Sequence, residues 1–354
     1  MILRIRLIKL KWLAVNIFMV FSMIVIGGIT RLTDSGLSMT DWKLISGMIP
    51  PLNHNDWQIA FENYKGFPEY QIKNSEMSLN EFKKIFFWEY LHRIWGRLIG
   101  LTFFIPLIFI WIKEGFSKKE KKFMITLSFL GFFQAFMGWY MVKSGLIDKP
   151  DVSHFRLSAH LITAFIIYSM LLYFFWNIFS ENRKNTKYFA TSQLKVHKNN
   201  FEISVIFLFL TICAGAFVSG TDAGMSYNNF PLMDDNILPP ILLYDQLPDI
   251  KTLFHDQGFL QFLHRLLASL TLLFILHSIF KAYRDNFFYN YKILFFSILF
   301  IIIIQYTLGI IILKLYVPIS LGLLHQLGSL LILSLLVITL CEVNKKRAIN
   351  RPLI

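Results

Sequence analysis

EYLHRIWGRLIGLTFFIPLIFIWI, residues 89–112, is the stretch whose reading decides the fold. After Arg97 it runs to Ile112 without a charge. From Tyr90 on it is long enough to cross a bilayer core, which takes about 20 helical residues. It also carries His92 about a turn inside one end, where ionisable groups are costly and usually functional.

Seven further stretches share this character. The expected spans are 12–30, 90–112, 123–142, 155–179, 201–220, 262–280, 292–314 and 319–341. The composition agrees: 55% of residues are hydrophobic, 37 are Phe and 16% are charged. A soluble domain of this length cannot hide that much apolar surface. The expected fold class is therefore all-α integral membrane, with eight transmembrane helices. The basic, apolar N-terminus lacks a small-residue cleavage site and reads as a retained first helix.

The net charge of +13 reads as the positive-inside signature rather than a nucleic-acid surface. With a cytoplasmic N-terminus, the cytoplasmic segments 1–11, 113–122, 180–200, 281–292 and 343–354 hold 21 of the 35 Lys and Arg. An even number of spans puts both termini on that side. The long segments 31–88 and 221–261 then lie outside as expected caps. Cys213 and Cys341 are far apart and form no CxxC, so neither a zinc site nor a redox pair is expected.

The two halves resemble each other. GGITRLTDSGLSM at 27–39 pairs with GAFVSGTDAGMSY at 215–227, and EYLHR at 89–93 with QFLHR at 261–265. QAFMG at 134–138 pairs with QYTLG at 305–309, and His160 with His325. The expected arrangement is two repeated four-helix bundles, 1–190 and 191–354, each with its own pocket.

Of nine histidines, His54 and His255 in outer loops, His154 at a helix mouth and His197 in a cytoplasmic loop read as solvated or interfacial. His277 reads as structural. His92, His160, His264 and His325 lie at similar depth in repeat-related positions. Facing imidazoles on bundle helices hold a metal or a haem. Nearby carboxylates are scarce and no HExxH is present, which favours haem with one imidazole from each of two helices. The pairs are His92 with His160 and His264 with His325. Gly96, Gly100, Gly322 and Gly328 share histidine faces and read either as room for a flat ring or as ordinary small-residue packing. Arg31, Arg93, Arg97, Arg156 and Arg265 near span ends are candidates for contact with anionic propionates.

Glu89 breaks the repeat. It stands three residues before His92, where the second half has Gln261. The asymmetry suggests one pocket for chemistry and one for electron storage, with Glu89 relaying protons or stabilising positive charge. The alternative is an i,i+4 ion pair with Arg93.

GGITRLTDSGLSMTDW at 27–42, the Pro-Pro pair 50–51, PEY at 68–70, EYLHRIWGR at 89–97 and the HR and GLLHQ motifs of the second half resemble the haem A synthase family over nearly the whole chain. The long first outer segment is similar to its proteobacterial and mitochondrial branch, which lacks an outer-loop cysteine pair. The resemblance implies oxidation of the C8 methyl of haem O to a formyl group by successive hydroxylations, giving haem A for terminal oxidases. It implies a haem b cofactor on His264 and His325 beside Arg265. It places substrate haem O near His92, His160, Arg93 and Arg97, with Glu89 catalytic. Haem O synthase, a protoporphyrin farnesyltransferase, and a second copy of the chain are candidate partners; the electron acceptor is left open. The implied location is the bacterial inner membrane, with the haem pockets toward the periplasm. The competing readings are a bis-histidine cytochrome b that only carries electrons, and a transporter built on the duplication.

Overall fold

The computed structural model describes residues 2–40, 48–145, 152–181, 189–243, 246, 248–287, 291–344 and 348–349. Among these residues eight helices are long and apolar enough to cross a membrane: α1 (Ile2–Leu32), α4 (Leu79–Ile112), α5 (Lys118–Gly145), α6 (His154–Phe179), α7 (Thr191–Gly220), α9 (Gln257–Arg284), α10 (Lys292–Lys314) and α11 (Ile319–Asn344). Three short helices lie between them: α2 (His54–Lys65), α3 (Pro68–Lys73) and α8 (Ile250–Leu253). Apart from a two-residue parallel pairing of Phe189–Ala190 with Ala348–Ile349, the regular structure of the described residues is helical. The chain forms two compact units, Met1–Tyr168 and Ser169–Ile354, whose division falls within α6.

Several helices outrun their apolar cores. The α4 helix starts at Leu79, eleven residues before the apolar stretch, because Ser78 caps it and Glu81 returns the bond to the Ser78 backbone. This reciprocal cap satisfies donors that a helix start otherwise leaves bare. The α7 helix begins at Thr191, well before residue 201. That corrects the loop placement of His197, which is 0% exposed, stacked on Phe287 and 3.6 Å from Asp285. The α7 helix continues through the polar residues 191–200, so the imidazole is packed rather than solvated.

In the first unit α1 lies along α4. Trp12 Nε1 and Asn16 Nδ2 donate to the Thr102 carbonyl, and Trp95 Nε1 donates to the Met19 carbonyl. Such bonds fasten membrane helices where burial of apolar surface offers no drive. In the second unit α7 packs on α9 and α11, and α10 packs on both of these. Hydroxyl pairs Thr211–Thr271 and Ser204–Ser278 join α7 to α9. Phe129, Phe132, Ile105, Ile293 and Phe300 are exposed along the spans, as lipid-facing side chains are.

The same turn follows α1 and α7. Asp34 and Asp222 both adopt positive φ, 47° and 54°. Short polar side chains tolerate this left-handed region better than most. Beyond the first turn, α2, α3 and the start of α4 build a small cap with its own aromatic core of Phe61, Tyr64, Phe82 and Phe86, against which Met39 and Tyr90 pack. Within it Asn74 Nδ2 donates to Tyr64 Oη at 2.8 Å, and Tyr64 Oη donates to Glu69 at 2.9 Å. Burial, with the charges of Glu89 and Asp34 adding, pushes the Glu69 carboxyl up from 4.5 to about 8. Burial and the Glu69 charge also raise the Tyr64 phenol.

Candidate functional site

Each of the four membrane-depth histidines meets a glycine on the span before it. A Cβ built on Gly27 of α1 would lie 3.2 Å from His92 Cε1, and one on Gly138 of α5 would lie 3.4 Å from His160 Cε1. In the second unit the matching distances are 3.0 Å from Gly215 to His264 Cε1 and 3.1 Å from Gly309 to His325 Cε1. Every imidazole edge is therefore pressed against bare helix backbone, which fixes ring position without a bulky neighbour. The glycines singled out by spacing behave differently. Gly100 has nothing within 4 Å, Gly96 faces Met23, and the space over Gly328 is occupied by Gln305 rather than left for a ring.

His264 and His325 face each other with ring centres 6.3 Å apart and planes at 75°. That separation leaves room for one metal ion with a bond of about 2 Å to a nitrogen of each ring. His264 Nδ1 lies 3.1 Å from the Thr211 carbonyl. A carbonyl only accepts, so Nδ1 carries the proton and Nε2 keeps its lone pair, as in a metal-binding histidine oriented by its other nitrogen. The Nδ1 atom of His325 is buried without a hydrogen-bond partner among the described residues. These residues fit a haem held between two imidazoles.

His92 on α4 and His160 on α6 belong to the same compact unit. Their Nδ1 atoms are also buried without partners among the described residues. Beside them Glu89, 3% exposed, is tied on three sides. Ser38 Oγ and the Met39 backbone N–H donate to Oε2, each at 2.7 Å. Arg93 donates to Oε1 and, at 2.9 Å, to the Met39 carbonyl. The Glu89–Arg93 ion pair thus exists, and it forms part of a larger clamp that fastens residues 38–39 onto α4.

Gln261, 2% exposed, repeats this clamp without the charge. Its Nε2 donates to the carbonyls of Ala223 and Tyr227, and its Oε1 accepts from Arg265 at 3.0 Å. Arg265 also donates to the Tyr227 and Leu232 carbonyls. Arg93 and Arg265 thus tie loop backbone to the helix that carries each histidine, while Arg97 donates to the Arg93 carbonyl. Of the remaining histidines, His54 and His255 are exposed and His154 is buried.

The histidine-contacting glycines escaped the reading of the sequence, although Gly27 and Gly215, and Gly138 and Gly309, stand in paired motifs of the repeat. Ser38 and Met39 escaped it too, lying some fifty residues from Glu89.

Residues 10–337 match the COX15-CtaA family, described as cytochrome oxidase assembly protein. The chain is 39% identical over 337 residues to "Heme A synthase" of Flavobacterium johnsoniae, covering 94% of this chain and 97% of that protein. It is 40% identical over 321 residues to "Heme A synthase" of Nitrosospira multiformis, covering 91% and 89%. It is 38% identical over 327 residues to "Heme A synthase" of Rickettsia canadensis, covering 92% and 95%.

Proposed function

This chain belongs to the COX15-CtaA family, and on that premise we propose that it is a multi-pass membrane oxidoreductase that converts haem O to haem A. The reaction is oxidation of the C8 methyl group to a formyl group by successive hydroxylations. The observation that carries the reading is the Glu89–Gln261 asymmetry: one clamp with a buried carboxylate and three donors, and a second of the same form with a neutral amide.

The N-terminal site takes the substrate. His92 and His160 bind it from two helices, and Gly27 and Gly138 hold their rings in place. Glu89 is the catalytic group. Ser38 Oγ is a hydroxyl on its Oε2, through which a proton is exchanged at that atom. Arg93 on Oε1 keeps the carboxylate oriented and balances its charge. In the C-terminal site His264 and His325 would hold haem b. When bound, this group supplies one-electron chemistry. Gln261 in place of a carboxylate leaves that clamp without a group that exchanges protons and suits the pocket to storage.

The distribution of Lys and Arg supports a bacterial inner-membrane location with both termini cytoplasmic and the histidine ends periplasmic. The recurring Asp34/Asp222 turn, the two clamps and the paired His–Gly contacts support an origin by duplication.

The test is expression beside a source of haem O, followed by chromatography of extracted haems from wild type and Glu89→Gln. Haem A from wild type alone is expected. Haem A from both would leave the enzyme and remove Glu89 from its mechanism. Haem A from neither, with haem b retained and an electron partner supplied, would favour the bis-histidine cytochrome b.

A further inference from the structure

Gln134 and Gln305 hold the same place in the repeat, one turn before the glycine that meets the histidine of the next span. Their surroundings differ. Gln305 Nε2 donates to the His325 carbonyl at 2.8 Å. The amide reaches it because residue 328 is glycine: a Cβ there would lie 1.9 Å from Gln305 Oε1. In the first unit the position matching Gly328, three residues after the histidine, is Thr163. Its side chain is buried and its hydroxyl is spent on the Ala159 carbonyl. A side chain at this position closes the space that Gln305 uses. Gln134 makes no corresponding bond to His160, and its Oε1 is buried with no hydrogen-bond partner among the described residues.

A buried amide oxygen without a donor costs about 1–3 kcal/mol, and native proteins rarely leave one without reason. A ligand that brings a donor removes the cost. Haem O and haem b differ in one such group. Where haem b has a vinyl, haem O carries an isoprenoid chain with a hydroxyl on the carbon attached to the ring. The anionic propionates belong at the polar end of the bundle and the isoprenoid chain in the apolar span. Gln134 lies one turn further into the apolar span of α5 than Gly138.

Building on the haem O reading above, we propose that Gln134 is the specificity-determining residue of the N-terminal site, accepting a hydrogen bond from the hydroxyl of the substrate's isoprenoid chain. A hydroxyl both donates and accepts, so it satisfies either end of the amide. Haem b cannot, and it leaves the amide bare. A site built to bond a hydroxyl rejects the analogue lacking it more strongly than an apolar pocket rejects an added one. Gln305, already bonded to its own histidine's carbonyl, places no such demand, so the C-terminal pocket accepts haem b. The two pockets of one duplicated chain are thereby told apart by residue 163 against residue 328.

The test is equilibrium titration of the purified full chain, holding its resident haem, with haem O and with haem b, followed by difference absorbance. Wild type is expected to prefer haem O. Gln134→Met, similar in length and apolar, should lower that preference about tenfold, mainly through weaker haem O binding. Thr163→Gly, which reopens the space that lets the amide turn back to the His160 carbonyl, should lower it as well. An unchanged preference in Gln134→Met with the resident haem spectrum intact would overturn the assignment. If that variant loses the resident spectrum, Thr163→Gly carries the comparison, and unchanged preference there overturns it equally. Wild type that binds no haem O would instead overturn the substrate reading itself.

Discussion

His264 donates its Nδ1 hydrogen to the carbonyl of Thr211 across 3.1 Å, which leaves the Nε2 lone pair free on a ring whose centre lies 6.3 Å from that of His325. With its other nitrogen held in this way, the His264 ring is oriented by the protein itself. His264→Ala and His325→Ala should each abolish the low-spin haem b spectrum of the purified protein. A normal spectrum in both variants would refute the assignment.

The glycine contacts make a sharper test, because they touch no bond. A methyl at Gly215 would stand 3.0 Å from His264 Cε1. Such overpacking costs about 1–3 kcal/mol, so Gly215→Ala should lower haem b occupancy about tenfold or more. Gly100→Ala, where nothing lies within 4 Å, should leave occupancy unchanged and slightly strengthen the helix. Titration of the apo-protein with haem b measures both.

Ser38 supplies the one hydroxyl in the Glu89 clamp. Hydrogen bonds to charged groups contribute about 1.5–3 kcal/mol, so Ser38→Ala should slow haem A formation about tenfold while haem b stays bound. Glu89→Gln should slow it by about a hundredfold or more, the usual scale for loss of a general acid or base. Single-turnover assays compare the two, and equal rates in wild type and Ser38→Ala would remove the hydroxyl from the mechanism.

The cap should weaken as pH rises. Glu69 is raised from 4.5 to about 8 in the folded cap, so between these values the folded state holds a proton that the unfolded state has lost. Stability from this group is greatest below 4.5, falls through that window and levels off above about 8. The groups acting on it are Tyr64, Lys73, Glu89 and Asp34. Hydrogen exchange of α2 and α3 should show protection falling across this range in wild type and staying flat in Glu69→Gln. A wild-type profile without slope would show that the carboxyl ionises normally.

The spans were legible because length and apolarity are the physical conditions for crossing a bilayer, and all eight stretches meet them. Hydropathy marks where lipid lies, however, and not where a helix starts. The extra turns of α4 come from Ser78 and Glu81, and those of α7 bury His197. The four histidines stood out by depth and repetition. Which of the 18 glycines would meet them depends on helix packing, and spacing along one helix pointed instead to Gly96, Gly100 and Gly328. The Glu89–Arg93 pair was visible as an i,i+4 spacing. Its closure by Ser38 and Met39 depends on how the first turn folds back, which no local pattern records.

The α4 helix carries 34 residues, about 51 Å of rod against a bilayer core of about 30 Å. Phe82 and Phe86 in the cap, Glu89 and Arg93 in the clamp, and His92 all hang from this one piece. Their relative bearings are set by residue count alone. One residue inserted between Phe86 and Glu89 would swing His92 by about 100° relative to the cap, though every contact-making side chain remained. The length of this segment is thus as fixed a part of the catalyst as its chemistry: an added residue in the loops around it leaves these bearings intact, and one within that interval does not.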